Sequence, residues 1–577
     1  MRNRLRWATT LSTALLALSL VLSSCGGQPA AKTGGNTGTS TTTTSQQPQG
    51  GQTITTAFTS NIETLDPAKW TDMTSMYAME MVYDTLVTYD PSQTTTPKIV
   101  PNVATWDVTP DGLKYTFHIK PGIKFSNGDS LDAYAVKYSL DRVTSKDPIG
   151  AGAAPYGFAY SAIQGYKEWN ASGQKASPDG KGGLPGVKVI DPQTVEIDLS
   201  TPQAFFLNTL ALMSAAIVDP KVAEQYGKDF SAHAVGSGPF MLQSWQPGVQ
   251  MTLVPNPNYW NQANKPKIAK LVLKENVSDN LQLLQFRQGD LDFIGGPLTT
   301  AQYAQVLSDP KLKSDYYKVG GNIIYYLAFN TTKPPFNNPL VRQAVNYAID
   351  KQQIIQNITN GRGQVASQPL PPGIPGYDPS IQPYPYDPAK AKQLLQQAGV
   401  QLPLKVTMIY PSNTQDHIRT AQMVQQQLQQ VGIDVTLQGF SQVGSYWPYE
   451  DDPTKPWNIA WTDWFQDYPD AQDFLYNLLS KDAFNSTNVG NWTDPTFEQL
   501  VTKADSLPAS QQDQRVQLYQ QAEKIAHDQA AWVFLYYGWY DALIQPWLKP
   551  DPHDPASLGV YLHPVSTPRF NLMSVQK

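Results

Sequence analysis

The sequence predicts a mixed α/β protein built from more than one lobe. Residues 404–437 show a strand–helix–strand pattern, which is the signature of a βαβ unit. Residues 101–130 instead alternate apolar and polar side chains between turn dipeptides, which indicates antiparallel strands. Because roughly 525 residues of foldable chain exceed what one hydrophobic core supports, we expect two or three lobes.

The N-terminus has the pattern of an export signal. Arg2, Arg4 and Arg6 precede an apolar run over residues 8–22, which at about 15 residues is short for a membrane span. The run ends in LSSC, which resembles the lipobox of bacterial lipoproteins. The resemblance implies that residues 1–24 are a signal peptide and that Cys25 carries a lipid anchor; the alternative is an ordinary secretory signal with an incidental cysteine.

Cys25 is the only cysteine in the chain, which excludes a disulfide framework, a cysteine-based zinc site and a thiol nucleophile. Residues 25–51 are almost entirely Gly, Ser, Thr, Gln, Asn, Ala and Pro, so we expect a flexible linker and a folded part that starts near Gln52. The chain carries 42 basic and 48 acidic residues without a basic stripe, which argues against a nucleic-acid partner.

Local patterns predict the first elements of the folded part. A strand is expected at TITTAF from Thr53, and a helix over residues 76–87. Strands are expected over residues 114–119 and 123–125, followed by a helix over residues 132–142.

The second half of the chain carries clearer helix boundaries. A strand over 404–410, a helix over 414–431 that stops at Gly432, and a strand from Ile433 form the βαβ unit, whose crossover should be right-handed. Asn338-Pro339 opens a helix that is expected to end near Gly361, and Asp387-Pro388 opens one that ends at Gly399.

Several blocks in order along the chain resemble family 5 extracellular solute-binding proteins, the oligopeptide-, dipeptide- and nickel-binding components of ABC importers. The blocks are PNVATWDVTPDGLKYTFHIKPGIKFSNGDSLDAYAVKYSLDR, GSGPFMLQSW, NPNYW, FRQGDLD and PPFNNPLVRQAVNYAIDKQQI. The resemblance implies a periplasmic-binding-protein-like, two-lobe Venus-flytrap fold with a subdomain inserted in the first lobe. The implied first lobe comprises residues 52–96, 236–321 and 541–577, the insert residues 97–235, and the second lobe residues 322–540.

The segment WTDWFQDYPDAQDF, residues 461–474, is the strongest candidate for a ligand site, because it combines five aromatic residues with four aspartates. By the resemblance, Asp467 would bind a peptide α-ammonium, and Asp463, Trp464 and Phe465 would offer backbone hydrogen bonds. An alternative is that Asp467 caps a turn ahead of Pro469.

Other residues complete the predicted site. Trp461, Tyr468 and Asp470 come from the same segment, with Asp470 as a substitute for Asp467. The resemblance also implies first-lobe contacts at Ser75 and Met76, although a plain core helix is an equal alternative there.

No catalytic or phosphate-binding motif is present, and the six histidines are scattered, so we expect neither an enzyme, a cofactor nor a metal site. No basic residue occurs over residues 457–476, which argues against a ligand of fixed dipeptide length. The C-terminus of a longer peptide would then be bound by a more distant residue such as Arg362.

The prediction is therefore a monomeric, lipid-anchored, extracytoplasmic binding protein that delivers an oligopeptide to an ABC permease. The alternatives are an oligosaccharide or other neutral ligand on the same scaffold and, from other classes, a sensor or a tethered hydrolase.

Overall fold

The computed structural model describes residues 52–93, 97–147, 154–296, 298–563 and 567–577. The predicted signal peptide, the lipid-bearing Cys25 and the linker lie outside the described residues.

The described strands follow in chain order. They are β1 (Thr53–Ala57), β2 (Val87–Tyr89), β3 (Ile99–Pro101), β4 (Ala104–Val108), β5 (Lys114–Ile119), β6 (Val187–Asp191), β7 (Thr194–Asp198), β8 (Phe240–Gln246), β9 (Gln250–Pro255), β10 (Lys270–Lys274), β11 (Phe293–Gly295), β12 (Tyr316–Phe329), β13 (Gln364–Val365), β14 (Leu404–Pro411), β15 (Ile433–Phe440), β16 (Ile459–Phe465), β17 (Trp532–Ile544), β18 (Leu548–Lys549) and β19 (Ser574–Val575).

The α-helices of the same residues are interspersed with these strands. They are α1 (Met73–Val82), α2 (Ala133–Thr144), α3 (Tyr166–Ser172), α4 (Phe206–Thr209), α5 (Pro220–Tyr226), α6 (Asp279–Gln288), α7 (Thr300–Ser308), α8 (Pro310–Ser314), α9 (Pro339–Ala348), α10 (Lys351–Asn357), α11 (Pro388–Gln397), α12 (Gln415–Gln429), α13 (Val443–Glu450), α14 (Ala471–Leu479), α15 (Pro495–Asp505), α16 (Gln512–Asp528) and α17 (Pro555–Leu558).

Among the described residues, eleven strands join one mixed sheet. Its order is β15-β14-β16-β12-β17-β11-β1-β10-β9-β8, with β13 also paired to β17. Within the predicted insert, β4-β5-β7-β6 form a separate antiparallel sheet. The fold class is therefore mixed α/β, as the sequence predicts.

The strands β12 and β17 run through the middle of the large sheet and connect the two predicted lobes. They pair antiparallel from Tyr316 opposite Leu543 to Ala328 opposite Trp532, with a register shift between Gly320 and Ile323. Residue 321, one predicted lobe boundary, lies in this shift, and residue 540, the other, is paired next to it. Gly321 is required there, because a Cβ at this position would lie 2.6 Å from the Trp539 Cα.

The β14–α12–β15 unit confirms the predicted βαβ pattern. The two strands pair parallel along their whole length, from Leu404 opposite Ile433 to Pro411 opposite Phe440. The predicted helix stop is also confirmed, because Gly432 adopts a φ of +86° after the helix.

Helices cover both faces of the sheet in the predicted second lobe. Helices α9, α11 and α12 bury their apolar sides on one face, and α14, α15 and α16 bury theirs on the other. Two further apolar cores are centred on the predicted first lobe and on the insert. The first of them also takes in insert residues such as Leu212 and Phe230, so it joins the two parts. The result is a three-layer α/β/α arrangement around β12, β14, β16 and β17.

The helix predicted from Asn338 to Gly361 is wrong in its extent. The structure has two helices here, α9 and α10, since Ile349 is extended and the Asp350 side chain accepts the Gln353 amide to start the second helix. Apolar periodicity continues across the break, and it therefore concealed the new N-cap.

Two further boundaries differ from prediction in the first part of the chain. Helix α1 ends at Val82, whose carbonyl accepts the Gly238 amide at 2.9 Å, and residues 87–89 form β2 instead of more helix. The strand predicted at residues 123–125 is reduced to a single bridge between Lys124 and Ser130. The early end of α1 is thus determined by Gly238, a partner that is distant in sequence.

None of the helices in the described residues is both long and apolar enough to cross a membrane.

A buried ion pair fastens the insert to the segment that precedes it. Arg142 of α2 donates two hydrogen bonds to Asp66, at 2.6 and 2.7 Å, and both side chains are almost fully buried. A bidentate pair of this kind is strong only while both partners are present, because either charge alone would be stranded in a medium of low dielectric constant.

We expect Arg142→Met to lower the free energy of unfolding by about 3 to 5 kcal/mol, since it leaves Asp66 buried without its partner. Denaturant unfolding followed by tryptophan fluorescence measures the loss. Lys181→Met is the control, because the Lys181–Asp179 pair at 3.0 Å is largely exposed, and its loss should cost less than about 1 kcal/mol. Equal effects of the two variants would contradict the assignment.

Candidate ligand-binding site

Strand β16 has one fully paired edge and one edge that is largely open. The whole strand pairs with β12, and Phe465 lies opposite Ile323. On the other side, β14 pairs only with Ile459 and Ala460. From Trp461 onward, no described strand covers this second edge.

The hydrogen-bond register shows which backbone groups face the open edge. The Gln466 amide donates to the Asn322 carbonyl at 3.2 Å, and the Asn330 amide donates to the Asn458 carbonyl at 2.9 Å. Because bonding residues alternate in an antiparallel ladder, the even-numbered residues of β16 bond to β12 and the odd-numbered residues point away from it.

The outward-facing residues are Trp461, Asp463 and Phe465. The Trp461 carbonyl accepts the Tyr446 hydroxyl. The outward backbone groups of Asp463 and Phe465 form no hydrogen bond with any described residue. They are therefore available to an extended chain laid along the strand.

Asp467 lies two residues beyond this edge. Tyr156 of the insert donates its hydroxyl to Asp467 Oδ1 at 3.3 Å, and the Asp467 amide donates to Asp473 Oδ2 at 2.9 Å. Burial raises the pKa of the Asp467 carboxyl to about 7. No cation of the described chain forms an ion pair with it.

Two neighbouring carboxyl groups, those of Asp463 and Asp473, likewise have no cationic partner among the described residues. Burial raises the pKa of Asp463 to about 7, and burial together with the charge of Asp467 raises the pKa of Asp473 well above its ordinary value. Asp473 accepts the Trp464 indole N–H at 3.3 Å. A cation brought into the cleft would relieve the cost of ionising these groups.

Asp470 has a structural role instead of the predicted ligand contact. Its carboxylate forms a bidentate pair with Arg515, at 2.9 and 3.1 Å, and also accepts the Gln472 amide at the start of α14. Both side chains of the pair are buried. Asp470 is therefore already satisfied within the lobe, and it is no substitute for Asp467.

A cavity of about 60 Å³ surrounds Asp467 and is closed by α1 of the predicted first lobe. Met76 lines this cavity, as the sequence suggested. Ser75 does not, because its buried hydroxyl accepts the amides of Glu63 and Thr64 at 3.0 and 3.1 Å. The predicted role of Ser75 as a ligand contact is replaced by one in holding this loop.

A larger cavity of about 520 Å³ lies over the odd-numbered face of β16. Trp461 and Phe465 line it, together with Tyr325, Tyr536 and Trp539 from the two long strands. The Tyr325 and Tyr536 rings stack with centroids 4.6 Å apart. Residues 298–301 of the predicted first lobe form the opposite wall.

Glycine at position 538 makes this aromatic floor possible. A Cβ there would lie 2.9 Å from Tyr325 Cε2, so only glycine allows the ring to lie against the β17 backbone.

A third cavity, of about 250 Å³, separates the insert from the predicted second lobe. Tyr468 lies in its wall and stacks on Phe205 of the insert, with centroids 5.8 Å apart. The Tyr468 hydroxyl donates to the Gln472 side chain. Tyr468 therefore contributes an interlobe contact and does not line the cavity around Asp467.

Arg362 lines the large cavity, but it is engaged by the opposite lobe. Its guanidinium donates to the Leu298 carbonyl, to the Thr300 hydroxyl at 3.2 Å and to Asp541 at 3.4 Å. The suggested contact with the far end of a ligand would have to compete with these partners.

Several site residues were not identified from the sequence. Tyr156, Tyr325, Tyr536 and Trp539 come from segments that are far apart along the chain. The aromatic doublets in β12 and β17 were a usable signal, because alternation puts one member of each on the face shared with β16. Nothing local to Tyr156 indicates that it reaches Asp467.

In the described part of the chain, no group of three or more His, Cys, Asp or Glu side chains is arranged to hold a metal ion.

We expect Asp463→Asn to raise the melting temperature of the unliganded protein at pH 8 and to change it little near pH 4. The folded-state pKa of about 7 exceeds the ordinary 3.8, so the native carboxyl stabilises the fold fully below about pH 4 and loses that contribution as pH rises to 7. Asparagine stays neutral throughout. Thermal denaturation across this range, with the exposed Asp434→Asn as control, measures the difference; a gain that does not depend on pH would contradict it.

Comparison with known proteins places this site in a family context. Residues 98–486 match the family described as bacterial extracellular solute-binding proteins, family 5 Middle. The glutathione-binding protein GsiB of Salmonella paratyphi A is 28% identical over 482 residues, covering 83% of this chain and 87% of the relative. Di/tripeptide-binding protein 2 of Pseudomonas aeruginosa is 28% identical over 490 residues, covering 82% and 87%.

Solved structures agree with these relatives. The periplasmic binding protein DppA of Helicobacter pylori, in complex with the peptide STSA, superposes with a TM-score of 0.74 at 29% identity, covering 91% of this chain and 98% of that protein. The Escherichia coli murein tripeptide-binding protein MppA shares the fold, with a TM-score of 0.73 at 24% identity and coverage of 91% and 99%. The fold is thus that of two-lobe periplasmic binding proteins, and the chain belongs to family 5 of the bacterial extracellular solute-binding proteins.

Proposed function

We propose that this protein captures an oligopeptide in the cleft between its lobes and delivers it to an ABC permease. The observation that carries the proposal is the open edge of β16, which ends at a buried carboxylate without a cationic partner. An extended peptide can hydrogen-bond to that edge whatever its side chains are. Its α-ammonium then meets Asp467, and each charge compensates the other.

The ligands of the relatives support this ligand class. The relatives bind glutathione, di- and tripeptides, and the peptide STSA. The di- and tripeptides and STSA carry an α-ammonium at the start of a short peptide backbone, which is what the open edge and Asp467 together would recognise.

Closure is proposed to occur about the two long strands. Residues 52–96, 236–321 and 541–577 form one lobe, 97–235 its insert and 322–540 the other lobe. The contacts of Tyr156 with Asp467 and of Phe205 with Tyr468 cross the cleft and support a closed arrangement. Ligand binding favours such a state only by the contacts that it makes in both lobes.

The aromatic cavity supports a second candidate ligand. Sugar rings stack on Trp and Tyr faces, so the rings of Tyr325, Trp461 and Trp539 also suit an oligosaccharide. In that case, the uncompensated carboxyl of Asp467 would have no charged partner in the ligand, which is why the peptide is preferred.

The protein is further proposed to be held at the outer face of a membrane through Cys25. The LSSC sequence, the arginines before it and the linker after it support this proposal. Two acyl chains hold a protein to a bilayer stably, whereas one does so only reversibly.

Asp467→Asn should weaken binding of a tetra-alanine peptide by about 2 to 5 kcal/mol, because the ligand ammonium loses its buried counter-charge. N-acetylation of the peptide should cost a similar amount with the native protein and little more with the variant. Isothermal titration calorimetry over this double cycle measures both effects.

Proton release gives a second readout of the same contact. Because the free carboxyl has a pKa of about 7 and an ammonium favours its ionised form, binding at pH 6 should release a proton from the native protein and not from the variant. Asp434→Asn is the control. Full affinity of the variant for the free peptide would remove Asp467 from this role, and response to sugars alone would favour the second candidate.

Cys25→Ser should abolish acylation of the protein, because it removes the thiol that would carry the lipid. Intact-mass spectrometry of protein extracted from membranes measures the acyl mass on the native chain, and Ser24→Ala is the matched control. A native protein without acyl mass at Cys25 would contradict lipid anchoring.

A further inference from the structure

We propose that the cleft selects cationic peptides, and that the 520 Å³ aromatic cavity receives a Lys or Arg side chain of the ligand. The inference rests on the proposed function and names the ligand class more narrowly.

The charge of the cleft is the first argument. Carboxyl side chains line the three cavities or lie on the open edge and its following turn, namely Glu80, Asp279, Asp416, Asp463, Asp467, Asp473 and Asp505. Among the described residues that line the cavities, the only Arg or Lys is Arg362. Glu80 alone of the seven has an arginine within 4 Å, Arg569 at 3.8 Å.

Arg362 does not offset this excess. It forms an ion pair with Asp541, a fully buried carboxylate behind the cavity. The two histidines that line the cavities are neutral near pH 7, because burial lowers the pKa of both His417 and His563 to about 4. The cleft therefore holds an excess of carboxyl groups, and a ligand cation would favour the ionised form of those whose pKa is raised by burial.

The walls of the large cavity supply the second argument. The faces of Tyr and Trp rings attract a cation through their quadrupole, and such sites bind ammonium and guanidinium groups. Trp539 already shows this contact, since the Lys318 ammonium lies 4.1 Å from its ring centroid. Lys318 does not line the cavity. Tyr325 and Tyr536 stack on each other and the His417 ring centroid lies 4.0 Å from that of Trp461, so a ligand cation would contact the remaining faces of these rings.

Two carboxyl groups lie where the charged end of a basic ligand side chain would be. Asp416 lines the cavity beside His417. Asp463 does not itself line the cavity, but it lies on β16 between Trp461 and Phe465, which do. A basic side chain could therefore lay its aliphatic part along the rings and its charge near these carboxylates. The volume is in the range of cavities that hold small ligands.

The N-termini of α7 and α12 also border the cavity, and their dipoles oppose a cation. These termini are largely satisfied within the protein. Thr299 and Gln302 form a capping box on α7, whereas Thr414 caps α12 and Asp416 lies in its first turn. Asp416 therefore opposes the dipole of α12 at the cavity wall.

The position along the ligand follows from the strand rise. Phe465 is two residues and Trp461 six residues from Asp467, or about 7 and 20 Å along an extended strand. A peptide whose ammonium meets Asp467 and which runs along β16 would place its third residue beside Phe465, so the side chain of this residue, or a long side chain at the second, reaches the near end of the cavity.

The test uses tetrapeptides Ala-X-Ala-Ala and Ala-Ala-X-Ala, with X as Lys, norleucine or Glu, titrated calorimetrically into the native protein. We expect the Lys peptide to bind about tenfold more tightly than its norleucine analogue at one of the two positions, with Glu the weakest. This preference should shrink as salt screens the charges.

Variants test whether the cavity is responsible for the preference for Lys over norleucine. Asp416→Asn and Asp463→Asn should each reduce the ratio of Lys to norleucine affinity, whereas the exposed Asp434→Asn should leave it unchanged. Melting temperatures of all three show whether they are folded. The peptide series on the native protein does not depend on any variant.

The outcomes separate this inference from the proposed function. Peptides that bind without preference, or with preference for norleucine or Glu at both positions, overturn the cationic ligand class and leave peptide capture standing. Absence of binding by every peptide of the series contradicts both.

Discussion

The antiparallel pairing of β12 with β17 is the constraint on which the rest of the structure depends. These strands run through the large sheet and join the two predicted lobes, and their register shift lies at the predicted boundary. β12 holds β16 along its whole length, which leaves the opposite edge of β16 open beyond Ala460. The same two strands supply Tyr325 and Tyr536 to the cavity floor. Displacement of this pair would therefore alter the peptide edge and the aromatic cavity together.

The candidate site is built at a cost to the stability of the empty protein. Asp463, Asp467 and Asp473 are held where burial opposes their ionisation, and no arginine or lysine of the described chain pairs with them. Nearby Asp470 has a bidentate arginine partner and serves as a helix cap. Within this one segment, Asp470 stabilises the lobe through its ion pair, whereas Asp463, Asp467 and Asp473 have no cationic partner among the described residues. A ligand ammonium would supply the missing charge, so binding and stability are linked through the same groups.

Local sequence patterns predicted the elements whose signals are local. The β14–α12–β15 unit follows from its apolar spacing and from Gly432, and Pro388 marks the start of α11. The patterns were wrong where a distant partner intervenes. Helix α1 ends early because Gly238 bonds to its last turn. Ser75, which the family resemblance and not a local pattern suggested as a ligand contact, accepts the amide of Glu63. Periodicity carries no information about such partners, which meet only after the chain has folded.

The sequence by itself determined the composition of the candidate site and the family resemblance, because aromatic and acidic residues concentrated over residues 461–474 are visible without coordinates. It also indicated the βαβ unit and the export signal. Only the tertiary structure decided which aspartate is paired, which edge of β16 is open, and that Tyr156 of the insert reaches Asp467. The reason is physical: the charge state and accessibility of a group depend on the partners and burial that folding brings to it, and these come from segments 45 to 311 residues apart.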